Sequence, residues 1–397
     1  MTADLSHTSE KTVFDGWRAI SIALYMSVVG YGVLVGIPVI NTAWVDMLGF
    51  SEVQVGRVSG ADLGGLALGA VLTALVLASV NRRLLAVVGG GIAIAANLLC
   101  MGYVEYEQVL YLRLVAGIGS GIYTAVAVAT LGAHSRPAFA FNLMLFAFVF
   151  SQTIELWFLQ RLSMNGIYLA FAICFCLGLL FLVWLPPRPN KSKQKPSAKA
   201  SAELVSIPPY VPWMVLAAIV STYVNIGAYW AYIELAGRDG GVDEDWLGNI
   251  LVFASFASGL GCLLATVLSN RFGLARPLLL ALVSHAAIAA MLALGMNKTI
   301  VFVSVYSFNF LWIFIDVYQM STVANVDPTG RFASLLPAAQ GLGQILGPNI
   351  AATILARGLG YEGVFIMCGI ASLVGMLLYA TMYIRLRQVI PQLADAS

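Results

Sequence analysis

Pro186-Pro187-Arg188-Pro189-Asn190-Lys191-Ser192-Lys193-Gln194-Lys195, continued through Pro, Ser, Ala and Glu to Pro208-Pro209, is a long polar stretch at the middle of an otherwise apolar chain. Its prolines interrupt a helix and its lysines do not belong in hydrocarbon, so it has the composition of a solvated linker. Working outward, each side divides into six apolar runs. Those before it lie at about 17–42, 53–80, 84–104, 108–131, 138–160 and 165–186. Those after it lie at about 210–235, 246–270, 275–296, 299–323, 334–357 and 361–386. A bilayer core needs about 20 apolar residues per helical crossing, and every run meets or approaches that length.

Composition agrees. Of 397 residues, 60% are hydrophobic and 10% charged, with a mean hydropathy of +0.88, whereas a soluble domain carries about 25% charged residues. A spanning β-barrel would alternate apolar and polar residues, and these runs do not. The expected fold is an all-α integral membrane protein of 12 transmembrane helices in two pseudo-symmetric six-helix bundles. The expected organisation is an N-terminal tail 1–16, a bundle 17–186, a linker 187–209, a second bundle 210–386 and a C-terminal tail 387–397. The five cysteines fall inside apolar runs without metal-ligand spacing, so they read as packing residues and no metal or cofactor is expected. The first apolar run is too long for a signal-peptide core and lacks a small-residue cleavage site, which predicts a retained N-terminus.

Orientation follows from the positive charges. With the N-terminus inside, fifteen of the 21 Lys and Arg residues fall in cytoplasmic segments, five (Arg57, Arg161, Arg238, Lys298 and Arg357) fall outside, and Arg113 lies within a span. This positive-inside asymmetry predicts both termini in the cytoplasm, which requires an even number of crossings. Compactness and the absence of eukaryotic targeting signals suggest a bacterial inner membrane. A monomer in the lipid bilayer is expected, with no nucleic-acid partner.

The two halves repeat one design, as in transporters whose site lies between two rocking bundles. Span 2 leaves into Asn81-Arg82-Arg83, and span 8 into Ser269-Asn270-Arg271-Phe272-Gly273-Leu274-Ala275-Arg276. In span 4, Arg113-Leu114-Val115-Ala116-Gly117-Ile118-Gly119-Ser120-Gly121 sets glycines four residues apart on one face, which permits close helix approach. Over essentially its whole length the chain resembles the major facilitator superfamily. The likeness rests on the 6 + 6 layout with a basic central loop, on turns similar to G-x-x-x-D-R-x-G-R-R, and on the span 4 element, similar to R-x-x-x-G-x-G-x-G. Both turns replace the Asp by Asn, and the first lacks the glycines. The resemblance implies alternating access around a central cavity lined by spans 1, 4, 7 and 10.

An ionisable group inside hydrocarbon costs about 2.5–3.5 kcal/mol on insertion scales, so each one needs a reason. Arg113 and Glu155 both lie about five residues from the outer surface, a depth of roughly 8 Å, so an ion pair between them is geometrically possible, as a proton-coupling pair or as a structural one. Asp62, near mid-bilayer in span 2 with no evident cationic partner, reads as a proton carrier or a hydrogen-bonded structural acid. His285 reads as a packed histidine. Asn309, Trp312, Asp316 and Gln319 at i, i+3, i+7 and i+10 share one face of span 10, and the resemblance turns that face to the substrate path. Thr222, Asn225, Tyr229 and Tyr232 repeat the spacing on span 7, with Tyr223 and Trp230 on another face. Gln340 and Gln344 share a face of span 11. The substrate-binding candidates are therefore Asn225, Tyr229, Asn309, Trp312, Asp316, Gln319, Gln340 and Gln344, and the proton-coupling candidates are Asp62, Arg113, Glu155 and Asp316.

No Walker loop, nucleophile elbow or metal-ligand cluster is present, so an enzyme and ATP-driven transport are both disfavoured. The expected function is proton-coupled uptake of a small organic solute. The alternative is proton-driven efflux of amphipathic or drug-like compounds, weakened because span 5 lacks Gly and Pro while Gly343-Gln344-Ile345-Leu346-Gly347-Pro348 falls in span 11.

Overall fold

The structure is a computed structural model that describes residues 13–187, 207–326, 332 and 335–389, with the backbone alone at 137–138 and 269–271. Most of the expected linker, including its lysines, and most of both tails lie outside the described residues, as does Arg331.

Among the described residues the chain is helical. The first half comprises α1 (Trp17–Gly30), α2 (Gly32–Leu48), α3 (Glu52–Val76), α4 (Arg82–Cys100), α5 (Tyr106–Gly132), α6 (Pro137–Leu159) and α7 (Met164–Leu180). The second comprises α8 (Val211–Asp239), α9 (Glu244–Phe272), α10 (Ala275–Ala293), α11 (Lys298–Val326), α12 (Leu336–Ala356) and α13 (Gly360–Val389). Span 1 is α1 and α2 together, so span n corresponds to helix n + 1 thereafter. Ten of these segments, counting Trp17–Leu48 as one, are long and apolar enough to cross a membrane. Met164–Leu180 is apolar but only 17 residues long. It passes into a 3-10 turn at Leu182–Trp184 before Pro186, shorter than the run 165–186.

Span 1 runs six residues past its expected end at 42, to Leu48, and is interrupted at Tyr31, where φ is −90° and ψ 0° between Gly30 and Gly32. Helix ends follow local chemistry. Ser51 and Gln54 form a reciprocal capping box at the start of α3. Asn81, in the place of the family's Asp, accepts the Arg83 backbone N–H at 2.9 Å and caps α4. The basic turn then latches its own half: Arg83 donates to the carbonyls of Leu185 and Val183 at 2.6 and 2.7 Å, and Arg82 to the Thr130 hydroxyl at 3.2 Å.

The near end of the molecule carries the start of α1, the start of α8 and the end of α13; the far end carries the turns at Gly49 and Gly240. Each half packs alike, α3 against α5 corresponding to α9 against α11, and α4 against α7 corresponding to α10 against α13. Between the halves, α3 packs on α12 and α6 on α9, again a symmetric pair, and α2 packs on α8. Large apolar side chains such as Leu75, Ile154, Leu260, Leu280 and Ile370 stay exposed on the outer helix faces, as a lipid-facing perimeter requires.

Candidate functional site

A central cavity of about 1280 Å³, open solvent included, lies between the halves. Its walls come from Tyr31 and α2, α3 and α6 on one side and from α8, α9, α11 and α12 on the other. No lining residue comes from α5, although the resemblance put span 4 at the cavity. The glycines explain this. A Cβ on Gly117 or Gly121 would collide with the carbonyl oxygen of Asp62 or Leu66, so α5 is pressed against the back of α3 and shielded by it.

Among the described lining residues, Asp316 is the single charged side chain. The Tyr223 hydroxyl donates to its Oδ1 at 2.7 Å and accepts from the Gln340 amide at 2.8 Å. Trp312, Gln344, Gln152 and Ser258 line the same space. The cavity thus offers one carboxyl and several amide and hydroxyl groups within apolar walls, an arrangement that orients a small molecule through few polar contacts.

The stripe on α11 divides. Trp312 and Asp316 reach the cavity, whereas Asn309 sits a layer behind it, receiving Gln152 Nε2 at 3.3 Å and bonding the Val305 carbonyl at 2.9 Å. Gln319 donates to Thr222 at 3.0 Å inside the second bundle. Asn225 and Tyr229 do not line the cavity either: Asn225 donates to Ser372 at 3.2 Å, and the Tyr229 ring stacks on Phe308 at 3.7 Å with its hydroxyl 2.6 Å from Ser304. On α8 the side chains turned to the cavity and to the other half are Tyr223 and Trp230, at i and i+7. Gly227 lets α12 approach, because a Cβ there would stand 3.0 Å from the Gln344 Cα.

The Arg113–Glu155 pair is not formed. Arg113 pairs with Asp62, its Nε 2.7 Å and Nη2 2.5 Å from Oδ2, and its Nη1 donates to Asn97 Oδ1 at 2.8 Å. Both ionic side chains are only 2% exposed. Equal depth in the bilayer does not put two side chains on facing surfaces: Arg113 points along the glycine face toward α3. Asp62 accordingly has the cationic partner that its sequence context did not reveal. Glu155 faces Gly32 and Gly36 of α2, and its buried Oε1 has no hydrogen-bond partner among the described residues. His285 is buried against Phe308, ring centroids 4.9 Å apart.

On the far side of the cavity the halves are tied together. Asn41 donates to the Ala231 carbonyl at 2.7 Å, Tyr232 to the Glu52 carbonyl at 2.9 Å, and Arg57 to Asn349 and Thr353 at 2.9 and 2.8 Å. Pro38 has no N–H for the Leu34 carbonyl, and the Trp230 indole of the other half donates there instead, at 3.1 Å to both Leu34 and Val35. Trp230→Phe keeps an aromatic side chain and leaves the Leu34 carbonyl, which Pro38 deprives of a helical donor, without a partner, at about 1–3 kcal/mol. In a cysteine-substituted protein spin-labelled at positions 47 and 239, the expected result is a larger population of long far-end distances; an unchanged distribution would show that the indole bond does not hold this end closed.

The family profile of the Major Facilitator Superfamily matches residues 19–348. Comparison with curated protein sequences found no match. The fold is similar to a crystal structure of nucleoside transporter NupG, at 12% identity and a TM-score of 0.70, covering 92% of this chain and 98% of that one. It is also similar to a POT family transporter in complex with 5-aminolevulinic acid, at 11% identity and a TM-score of 0.71, covering 95% and 98%. Likeness at such identities is one of fold. With the family matched over most of its length, the chain belongs to the Major Facilitator Superfamily and is a multi-pass membrane transporter, not an enzyme.

Proposed function

We propose that this transporter takes up a small organic solute by alternating access and couples the movement to protons at Asp316. The observation that carries the reading is the placement of the single carboxyl among the described lining residues, Asp316, on the central cavity, where it accepts from the Tyr223 hydroxyl, itself bonded to Gln340. An ionised carboxylate only accepts hydrogen bonds, whereas a protonated one also donates. Protonation therefore changes which solute groups Asp316 can bind and whether it competes for the Tyr223 hydroxyl. A solute that binds one protonation state more tightly couples its own passage to the proton's. Trp312 supplies a flat apolar wall, and Gln340 and Gln344 supply amide contacts. Glu155, buried beside α2 near the break at Tyr31, is a second proton-carrying candidate.

In this reading the near end faces the cytoplasm of an inner membrane, in keeping with the distribution of Lys and Arg, and the chain acts as a monomer. The fold relatives support an organic solute, since one is a nucleoside transporter and the other holds 5-aminolevulinic acid. Proton-driven efflux of amphipathic cations is the second reading, favoured by apolar lining residues such as Leu66, Phe148, Val149, Ile313 and Met320 around a single carboxyl group.

Proteoliposomes containing a pH-sensitive dye test both. Pools of nucleosides, amino acids, peptides, sugars, aromatic acids and cationic drugs are added under an imposed proton gradient of either direction. Asp316→Asn retains an amide oxygen for the Tyr223 hydroxyl but cannot carry a proton, so the expected result is loss of gradient-driven accumulation with solute exchange retained. Undiminished accumulation with its proton signal in Asp316→Asn would remove Asp316 from the coupling step. The gradient direction that drives flux separates uptake from efflux.

A further inference from the structure

A second space between the halves, about 550 Å³ with open solvent included, lies at the far end, apart from the central cavity. Its walls include Thr42 and Asp46 of α2, Glu234 of α8, and Glu244 and Asp245 of α9. Gln160, at the end of α6, closes one side by donating to the Gly248 carbonyl at 3.1 Å. Four carboxyl groups thus face one pocket. The guanidinium beside them is spent on the outer pair: Arg238 binds Asp46 at 2.7 and 3.1 Å and approaches Glu244 at 3.5 Å.

Glu234 is different. It is 5% exposed, and its buried Oε2 has no hydrogen-bond partner. Thr42, 6% exposed, also lines the pocket, and its Oγ1 is likewise without a partner. A buried acceptor left unmatched is costly, more so when it is an acid. Within the acidic pocket, then, the Thr42 hydroxyl of one half lies beside the Glu234 carboxyl of the other, yet neither Thr42 Oγ1 nor Glu234 Oε2 has a partner in hydrogen-bond geometry. One buried carboxyl with one hydroxyl suits a singly charged guest.

We infer that this far-end pocket binds a compact monovalent cation, an alkali ion or a primary ammonium group, through Glu234 and Thr42 with Asp46 nearby. Because Thr42 belongs to the first half and Glu234 to the second, the bound cation ties the halves together and favours the conformation closed at this end. A ligand that prefers one conformation shifts the population toward it. The site is separate from the central cavity and does not depend on how Asp316 acts.

Melting of the purified full-length protein in detergent tests this, with chloride salts of sodium, potassium, methylammonium and N-methyl-D-glucamine titrated at constant ionic strength. At least one of the three compact cations is expected to raise the melting temperature saturably while the bulky cation does not, and the one that saturates at the lowest concentration identifies the guest. Glu234→Gln is expected to weaken that apparent affinity about tenfold or more, as loss of a charged hydrogen-bond partner does. Thr42→Val, nearly the same in shape, is expected to weaken it less. A response equal for all four cations, or one unchanged in Glu234→Gln, overturns the proposal. If Glu234→Gln yields no folded protein, Thr42→Val decides, and an unchanged affinity there overturns it.

Discussion

Arg113→Gln, made alone, is expected to lose most of its folded protein in the membrane, and so is Asp62→Asn made alone, whereas the two together are expected to recover much of the loss. The two side chains are buried against each other between α3 and α5, with Asn97 of α4 as third partner. Removing one member of a buried ion pair leaves the other charge without compensation, at about 3–5 kcal/mol, while replacing both with neutral groups is often tolerated. Two amides in place of the pair can bond to each other and to Asn97. The double variant should therefore be less destabilised than the sum of the singles, the non-additivity expected of groups in direct contact. Melting in detergent gives the cycle, and transport by the double variant gives its meaning. Retained coupled transport makes the Asp62–Arg113 pair a structural element that fixes α3, α4 and α5, and leaves coupling to Asp316 and Glu155. Lost transport in a folded double variant returns the pair to the proton path.

The same pair marks where sequence reasoning stops. Span count and the division into two bundles were legible because length and polarity act locally: Pro186 to Pro209 cannot be helix in lipid, and the flanking runs need about 20 apolar residues to cross. Residue position along a helix converts to an expected depth. What depth does not supply is azimuth, which is why Glu155 was matched to Arg113 and Asp62 was left without a partner. A usable signal existed. Arg113, Gly117 and Gly121 lie at i, i+4 and i+8, so the arginine must face the helix that the glycines press against, and Gly65 and Gly69 on span 2 identify that helix.

The cavity residues were legible only in part, for a related reason. Polarity alone chose Asn225, Tyr229, Asn309 and Gln319, yet polar side chains in a membrane bundle also serve to join helices. Their hydrogen bonds to Ser372, Ser304, Gln152 and Thr222 are of that kind. Tyr223 was passed over as a cavity residue because the Thr222 stripe on the other face of α8 is more polar. The interruption at Tyr31 is consistent with Gly30 and Gly32 on either side, since glycine weakens a helix interior.

Glycine at the α3–α5 contact sets up the second large expectation: Gly121→Val is expected to be more damaging than any other single substitution argued for this protein, and Gly91→Ala to be harmless. A Cβ at Gly121 would strike the Leu66 carbonyl, and one at Gly117 the Asp62 carbonyl. In return, a Cβ at Gly65 would strike the Leu114 carbonyl and one at Gly69 the Ile118 carbonyl. The two backbones are thus in contact over four positions, and the obstacles are main-chain atoms that cannot rotate away. Separating the helices to admit one valine would loosen all four contacts and stretch the Asp62–Arg113 bonds, so the cost should exceed the 1–3 kcal/mol or so typical of overpacking against side chains. Gly91, in α4, has no heavy atom within 4 Å of the place its Cβ would occupy. There alanine should hold or raise the melting temperature, by about 0.5–1 kcal/mol of helix preference. Size-exclusion profiles and melting curves of both variants in detergent are the measurement. A monodisperse Gly121→Val that melts with the parent would mean that α3 and α5 do not approach through backbone contact, and the explanation given for the absence of α5 from the cavity would fall with it.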